Sequence, residues 1–543
     1  MSDPRSRVSL AATIAWRAAV VVGAGLAAVS MPACNLHQEG VRPPDNRIFF
    51  PGGATIETGG RWLYVVNSNS DLRYNSGTLV AVDLHRARQD DPRDSMGAGK
   101  EWGTCPADSR YVPRASVAPE ARCCWDILDS TILNCDEQEY VQRGSTVRIG
   151  SFGGRPVMQQ LPGDDAGGSG RRRMFIPVRG DTSIGMVDVQ AVDGVVTFHC
   201  TGSRVPTRVP STGPYSYGSQ DTFAVCDPEW RISRQDDPVS MPSHTDSPDD
   251  TIVRLPDEPY ALAVDDTLQL LYVGHLRGGN VSLIDLGPGV GLATPELVSV
   301  YGGLLPGDAN GSQGITSLTI RKPGCFGAIY ATSRFRPVVG SFVVYGLDPS
   351  EEASCNAPRD LDNPESNRGI AIVGTGQNLE TGLAGGTETR GIEFVRVQQD
   401  AEPQTAFVLQ RSPPALVAMD LATLRPFAAI EVCQAPTNLV QEVDQTGRTV
   451  SLFVTCYDAG EVYVIDPWVP RVRTIIPVGR GPITTVLPPP VLDEPGDANR
   501  GYVVGFGGNN VVVVDLDPSS ANRYRVIQRL GFSSPTPREV GSQ

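Results

Sequence analysis

Lysine and histidine are scarce in this 543-residue chain, and so are metal and haem motifs. Two lysines, Lys100 and Lys322, stand against 44 arginines, and the formal net charge is −15. A surface this acidic repels the phosphate backbone, so we exclude a nucleic-acid duplex as the main partner. With five histidines, no Cys/His pair at zinc-finger spacing and no Cys-x-x-Cys-His motif, we expect no metal site, covalent haem or other cofactor.

The composition also disfavours long helices, because 58 glycines and 45 prolines interrupt a chain that is 40% hydrophobic. Such a composition is typical of a globular all-β protein with many turns. The length exceeds one ordinary core, so the chain requires several domains, a repeat array or one large closed β structure.

An uncharged apolar segment near the amino terminus has the layout of a secretory signal. Arg5, Arg7 and Arg17 precede it, and it covers residues 18–29. A bilayer core of about 30 Å is too thick for so short a segment to cross as a mature helix. We therefore expect residues 1–33 to be a signal peptide, residues 34–46 to be a linker, and the mature protein to be exported.

One pattern recurs seven times: a short apolar strand with an aromatic residue, a turn, and a second apolar strand that usually ends in Asp. The aromatic-to-Asp separation is 13 residues in five copies, a constancy that chance apolar runs would not produce. The segments are too short for helices and rich in β-branched residues, so each copy predicts a β-hairpin. The copies begin at Leu63, Met174, Leu271, Ile329, Ala406, Phe453 and Tyr502.

Further strands flank these hairpins, one opening at Pro or Gly before most copies and one following several of them. Four strands per repeat are the composition of a propeller blade, and a ring of blades leaves only short edges. We therefore predict an all-β, seven-bladed β-propeller over residues 47–531 with a tail over 532–543. Residues 47–53 or residues 523–530 could complete the last blade.

The segment Tyr64-Val65-Val66-Asn67 and the recurrent Val-Asp-Leu endings resemble the YVTN-type repeats of bacterial propellers. That resemblance implies the propeller architecture and leaves activity open, since such relatives include surface-layer-like proteins, lactonase-type enzymes and redox enzymes.

Ala33 and Cys34 resemble the lipobox of bacterial lipoproteins, which implies that Cys34 is acylated and anchors the chain to a membrane. Asn35 is not the Asp that retains many lipoproteins at the inner membrane. The resemblance therefore implies the outer membrane, on its periplasmic side or at the cell surface.

Uneven spacing between copies predicts long insertions in the first two blades, at about residues 86–140 and 199–250. Ten cysteines remain besides Cys34, and an even number in an exported chain indicates disulfide bonds. A hairpin places Cys433 nearly opposite Cys456. Elimination pairs Cys325 with Cys355 and Cys200 with Cys226. The pairing of four cysteines in the first insertion stays open: Cys105, Cys123, Cys124 and Cys135.

One face of a propeller gathers the starts of the inner strands and the ends of the second strands around the channel. Several arginines there favour a carboxylate, phosphate or sulfate ligand, although they could also pair with neighbouring aspartates. The predicted ligand-binding residues are Arg155, Arg179, Glu258, His275, Arg334, Arg390 and Arg411.

Two functions fit this sequence. The first is a non-catalytic binding or scaffold propeller of the cell envelope, with an envelope protein or a small anion as its partner. The alternative is a lactonase-like or other hydrolase in which Glu258, His275 and Arg390 supply a base and an oxyanion stabiliser. No motif requires catalysis.

Overall fold

The computed structural model describes residues 41–57, 59–105, 122–160, 172–192, 194–200, 223–226, 230–233, 254–286, 295–321, 323, 327–346, 370–398, 401–489 and 499–531. The first strands are β1 (Pro51–Ile56), β2 (Trp62–Asn67), β3 (Gly77–Asp83), β4 (Cys123–Trp125), β5 (Leu133–Cys135), β6 (Thr146–Ile149), β7 (Val157–Gln160), β8 (Arg172–Val178), β9 (Ser183–Val192), β10 (Val195–His199) and β11 (Phe223–Val225). They are followed by β12 (Arg231–Ser233), β13 (Pro259–Asp265), β14 (Leu270–His275), β15 (Val281–Asp285), β16 (Glu296–Tyr301), β17 (Ile315–Ile320), β18 (Ala328–Ser333), β19 (Val338–Gly346), β20 (Ile370–Gly374), β21 (Leu379–Glu380) and β22 (Thr389–Val395). The last are β23 (Thr405–Gln410), β24 (Ala415–Asp420), β25 (Arg425–Glu431), β26 (Pro436–Val443), β27 (Thr449–Cys456), β28 (Glu461–Asp466), β29 (Arg471–Pro477), β30 (Pro482–Val486), β31 (Arg500–Gly505), β32 (Asn510–Asp515) and β33 (Val526–Leu530).

These strands form seven sheets, and the prediction of an all-β, seven-bladed propeller is confirmed. From the channel outwards the orders are β1-β2-β3-β6-β11, β7-β8-β9-β10, β13-β14-β15-β16, β17-β18-β19-β20, β22-β23-β24-β25, β26-β27-β28-β29 and β30-β31-β32-β33-β5-β4. Strand β12 adds to β9, and β21 adds to β19. Inner strands of successive blades contact one another from β7 to β30, and β1 contacts β30. Gly53 of β1 approaches Arg155 just before β7, so the ring closes around a central channel.

The aromatic residue of each repeat is buried in the second strand of its blade, between neighbouring sheets. Rings often meet across a blade boundary, as where Tyr330 lies 4.8 Å from Phe394 between centroids. Burial of these rings explains why the pattern needs an aromatic at this position. The seven residues are Tyr64, Phe175, Tyr272, Tyr330, Phe407, Phe453 and Tyr502.

The Asp that ends most repeats caps a turn. The Asp420 carboxylate accepts hydrogen bonds from the backbone amides of Ala422 and Thr423, at 3.0 and 2.8 Å. In the first blade Asp83 caps a helix instead, α1 (Leu84–Gln89), by accepting from the Arg86 amide. Asp466 and Asp515 accept turn amides in the same way, which explains the constant spacing in these blades. Asp188 of the second blade bonds to Arg173 instead, and the fourth repeat has no Asp at this point.

The carboxy-terminal segment completes the last blade, since β33 pairs with β32 in an antiparallel register. The first insertion then extends that sheet. Strand β5 pairs parallel to β33, with Gln528 opposite Leu133, and β4 pairs with β5. Blades one and seven are therefore joined by an insertion of the first blade that lies on the outer edge of the last.

Two disulfides hold this insertion together, Cys105–Cys124 and Cys123–Cys135. Successive side chains of a strand point to opposite faces, so the adjacent residues Cys123 and Cys124 reach different partners. The insertion also contains α1 and a short 3₁₀-helix, Glu137–Glu139.

The structure contains the expected bridges Cys200–Cys226 and Cys433–Cys456, whereas Cys325 and Cys355 lie outside the described residues. No helix within the described ranges is long and apolar enough to cross a membrane. In the same part of the chain, no group of three or more His, Cys, Asp or Glu side chains is placed to hold a metal ion.

Candidate ligand site at the channel mouth

One hydrogen bond recurs in all seven blades and defines the channel mouth. The amide of the residue just after the second strand donates to the carbonyl of a residue just before the inner strand. Because the bond is equivalent in every blade, it brings fourteen residues to one face of the ring. From blade one to blade seven the donor and acceptor residues are Ser68 and Phe50, Arg179 and Phe152, Leu276 and Glu258, Arg334 and Gly314, Arg411 and Glu388, Tyr457 and Ala435, and Phe506 and Gly481.

Backbone strain and β-bulges concentrate at this mouth. Phe50, Phe152 and Glu258 have positive φ angles of 42°, 61° and 52°, which are costly for side chains other than glycine. The inner strands then skip one residue in their pairing, which leaves Tyr260 between Pro259 and Ala261 and Arg390 between Thr389 and Gly391. Bulges of this kind re-aim side chains and are common at functional sites.

Arg390 lies among polar groups of two blades. Its guanidinium forms an ion pair with Glu388 and lies 3.5 Å from the Tyr260 hydroxyl, whereas its Nε is buried without a hydrogen-bond partner. Arg411 also faces Glu388, at 3.6 Å. Tyr260 and Arg390 belong to the third and fifth blades, so this contact reaches past the intervening fourth blade.

Arg179 and Arg334 each lie beside a residue of the third blade, Tyr260 and Glu258 respectively. The Arg179 guanidinium is 5.7 Å from the centre of the Tyr260 ring, and it forms no ion pair with a described residue. Arg334 lies 3.9 Å from the Glu258 carboxylate and 5.2 Å from the centre of the Phe335 ring. Glu258 therefore faces an arginine.

His275 is placed differently from the other predicted residues, because it is fully buried at the end of β14. Its Nδ1 lies 3.1 Å from the Asp257 carbonyl and must donate to it, so Nε2 accepts from the Ser282 hydroxyl at 2.8 Å. Burial lowers the pKa of His275 to about 4. The imidazole is thus neutral at pH 7, and its two nitrogens bond to groups other than Glu258 and Arg390.

Arg155, just before the inner strand of the second blade, and Glu393, on β22 of the fifth, influence each other electrostatically without forming an ion pair. Burial raises the pKa of Glu393 to about 7, against the opposing attraction of Arg155 and Arg396. The Arg155 side chain is exposed and has no hydrogen-bond or ion-pair partner among the described side chains. A Cβ on Gly53 would lie 2.5 Å from the Arg155 Cα, so glycine is needed for β1 to approach the segment before β7.

Six of the seven predicted ligand-binding residues, five arginines and Glu258, lie at the mouth or in the channel, whereas His275 is buried. Glu388 and Glu393 were missed, although Glu393 is the sole charge within the Ile392–Val395 segment. The aromatic residues Phe50 and Phe506 were also missed. An open cleft of about 380 Å³ lined by Arg254, Asp257 and Arg277, among others, was not foreseen either.

No family model matches the chain, and no curated protein matches it. The resemblance to YVTN-type repeats therefore stays a prediction. A protein of Lactobacillus plantarum is similar in structure at 11% identity, covering 71% of this chain and 88% of its own, with a TM-score of 0.41. A Bacteroides fragilis protein provisionally assigned as a 6-phosphogluconolactonase is 9% identical, with coverages of 69% and 96% and a TM-score of 0.39. Sqt1 of Saccharomyces cerevisiae is 7% identical, with coverages of 91% and 89% and a TM-score of 0.43. At these values the likenesses bear neither on activity nor on ligand.

Proposed function

We propose that this protein is a non-catalytic binding propeller of the cell envelope that captures an anionic ligand at its channel mouth. The proposal rests on arginines near the mouth with guanidinium donors that the described residues leave free, in a protein of net charge −15. Within the described residues, Arg155 and Arg179 form no ion pair, and the Nε of Arg390 is buried without a partner.

An anion is the ligand class that these groups favour. Guanidinium groups recognise carboxylate, phosphate and sulfate through paired N–H donors. A buried donor without an acceptor costs about 1–3 kcal/mol, and a ligand oxygen that accepts from it would recover that cost. Glu388 already neutralises part of Arg390, so Arg155 and Arg179 supply most of the positive charge that remains.

Titration calorimetry with acetate, phosphate and sulfate tests this proposal. We expect saturable binding of at least one anion, weakened at least tenfold by the double variant R179Q/R390Q. The matched control is R425Q, on the outer strand β25, which should bind as the wild type does. Equal affinity of R179Q/R390Q and R425Q for every anion that binds, or no anion binding at all, would contradict the proposal.

Export and lipid anchoring through Cys34 belong to the same proposal. Four disulfides within the described residues support an oxidising compartment, where such bonds persist. Mass spectrometry of the amino-terminal peptide from envelope fractions should give Cys34 as an acylated first residue. An unmodified Cys34 in the mature protein would refute the lipid anchor and leave the anion site untouched.

A hydrolase remains the second candidate, and one observation favours it. A carboxyl with a pKa of about 7, such as that of Glu393, can accept a proton from water near neutral pH, and Arg155 could stabilise an oxyanion. Lactone hydrolysis that is abolished in E393Q and retained in R425Q would support this candidate. If the wild-type protein hydrolyses no lactone of a panel, the hydrolase candidate is refuted.

A further inference from the structure

The channel mouth is divided into a charged arc and an aromatic arc. Among the fourteen residues of the recurrent hydrogen bond, every charged side chain lies in blades two to five. Every aromatic one lies in blades six, seven, one and two. The charged arc consists of Arg179, Glu258, Arg334, Arg411 and Glu388, and the aromatic arc of Tyr457, Phe506, Phe50 and Phe152.

The aromatic arc is continuous across three blades. The Phe506 ring lies 5.6 Å from that of Phe50 and 6.2 Å from that of Tyr457, measured between centroids. All three side chains are half-buried, so part of each ring remains accessible. At Gly481, where φ is 55°, a Cβ would lie 3.2 Å from the Tyr457 ring, so the backbone and the ring are close here.

Two arginines that lie in or next to the charged arc, Arg179 and Arg390, surround Tyr260. Arg179 lies over Tyr260, and Arg390, on the bulge of the fifth blade, reaches the Tyr260 hydroxyl. Tyr260 thus lies beside two guanidinium groups and presents a ring of its own. A ligand that spans the mouth would meet arginine donors on one side and aromatic faces on the other.

We infer that the ligand is an amphiphilic organic anion, whose anionic group binds the charged arc while its apolar body packs on Phe506, Phe50 and Tyr457. This inference rests on the proposed anion-binding function and specifies the ligand class of that site. An inorganic anion would use the arginines and leave the aromatic arc in water. A neutral apolar ligand would leave the Arg390 Nε without an acceptor.

Three matched probes separate these possibilities: phenylbutyrate, which has both parts, butyrate, which has the anionic group and a short chain, and phenylbutanol, which is neutral. Calorimetry on the full mature protein should give phenylbutyrate at least a tenfold lower dissociation constant than either partial probe. F506A and Y457A should each reduce the preference for phenylbutyrate over butyrate at least threefold, and R390Q should weaken both carboxylates. The control F427A replaces an exposed phenylalanine on β25. It should change neither the preference for phenylbutyrate nor the affinity for either carboxylate.

Failure of this inference is distinguishable from failure of the proposed function. If butyrate binds as tightly as phenylbutyrate and R390Q weakens both, the anion site stands and the amphiphilic ligand is refuted. Equal effects of F506A, Y457A and F427A would likewise refute the role of the aromatic arc. If no probe responds to R390Q, both proposals fail. Circular dichroism of each variant establishes that it is folded, and either aromatic variant suffices for the test.

Discussion

His275 occupies in the third blade the position that Asn67 occupies in the first. Each is the last residue of a second strand, opposite the proline that opens the inner strand. The Asn67 amide accepts from the Phe49 amide and donates to the Arg47 carbonyl, as His275 donates to the Asp257 carbonyl. Both side chains therefore fasten the segment before the inner strand to the end of the second strand.

The same position in the sixth blade holds Cys456, whose disulfide with Cys433 joins the corresponding two segments. Gln410 occupies it in the fifth blade, where its amide donates to the Ser412 carbonyl. Four blades thus use an asparagine, a histidine, a glutamine and a disulfide at one structural position. His275 shares the fastening role with Asn67 and the Cys433–Cys456 disulfide. Gln410 bonds instead to the turn that follows its own strand.

Replacing His275 by asparagine should reduce the pH dependence of stability. The folded pKa of about 4 lies below the ordinary value of 6.5, so the unfolded chain binds more protons between these values, and stability falls as pH drops through this window. With about 1.4 kcal/mol per pKa unit, the wild-type free energy of unfolding should fall by about 3 kcal/mol more than that of H275N between pH 7 and pH 4. Urea unfolding at both pH values measures this.

The variant S282A serves as control for that experiment. It removes the hydroxyl that donates to His275 Nε2 and leaves the ring buried, so the pH dependence should persist. Parallel curves for the wild type and H275N would show that His275 does not titrate in this way.

Anion binding at the mouth should weaken as pH rises through about 7. Glu393 is protonated below its raised pKa and becomes negative above it, where it opposes an incoming anion and offsets the charge of Arg155. We expect a loss of roughly three- to tenfold in phenylbutyrate affinity between pH 6 and pH 8, since one charge is added within the channel. In E393Q the affinity should be constant over this range. An equal loss in E393Q would show that another group is responsible.

The blades could be predicted from the sequence because their determinants are local. An aromatic that must be buried and an Asp that caps a turn lie within one hairpin, at a fixed separation. The segment that completes the last blade could not be predicted, because residues 47–53 and 523–530 both had suitable patterns and only the observed pairing of β33 with β32 decides between them. The roles of His275 and Glu393 depend on burial, which the residue type alone does not reveal.

A buried ion network links the first insertion to the last blade, and its loss should be costly. The Arg500 guanidinium lies 3.0 Å from both Asp91 and Asp94, and all three side chains are at most 8% exposed. The substitution R500M would leave the buried Asp91 and Asp94 carboxylates with fewer positive partners. We expect the free energy of unfolding to fall by about 3 kcal/mol. This is the low end for a broken buried ion pair, because Arg88 still faces Asp94.

Denaturant unfolding measures this loss, and R425M on the exposed start of β25 is the matched control, expected within about 0.5 kcal/mol of the wild type. A change in R500M no larger than that of R425M would contradict a stabilising role for the network.

The disulfide Cys123–Cys135 should stabilise the junction between blades one and seven. It joins β4 to β5, and β5 pairs with β33. The double variant C123A/C135A, which lacks this disulfide, should have a free energy of unfolding lower by about 3 kcal/mol and faster amide exchange in β33. The control C200A/C226A removes a bridge of the second insertion and should leave exchange in β33 unchanged. Unchanged exchange in C123A/C135A would show that the hairpin stays docked without this bridge.

Binding of an amphiphilic anion at the channel mouth is tested most directly by a crystal structure of the protein with phenylbutyrate. We predict the carboxylate within hydrogen-bonding distance of Arg179 or Arg390 and the phenyl ring against Phe506. Phenylbutyrate bound instead in the cleft beside Arg254 and Arg277, or on the opposite face of the ring, would contradict it.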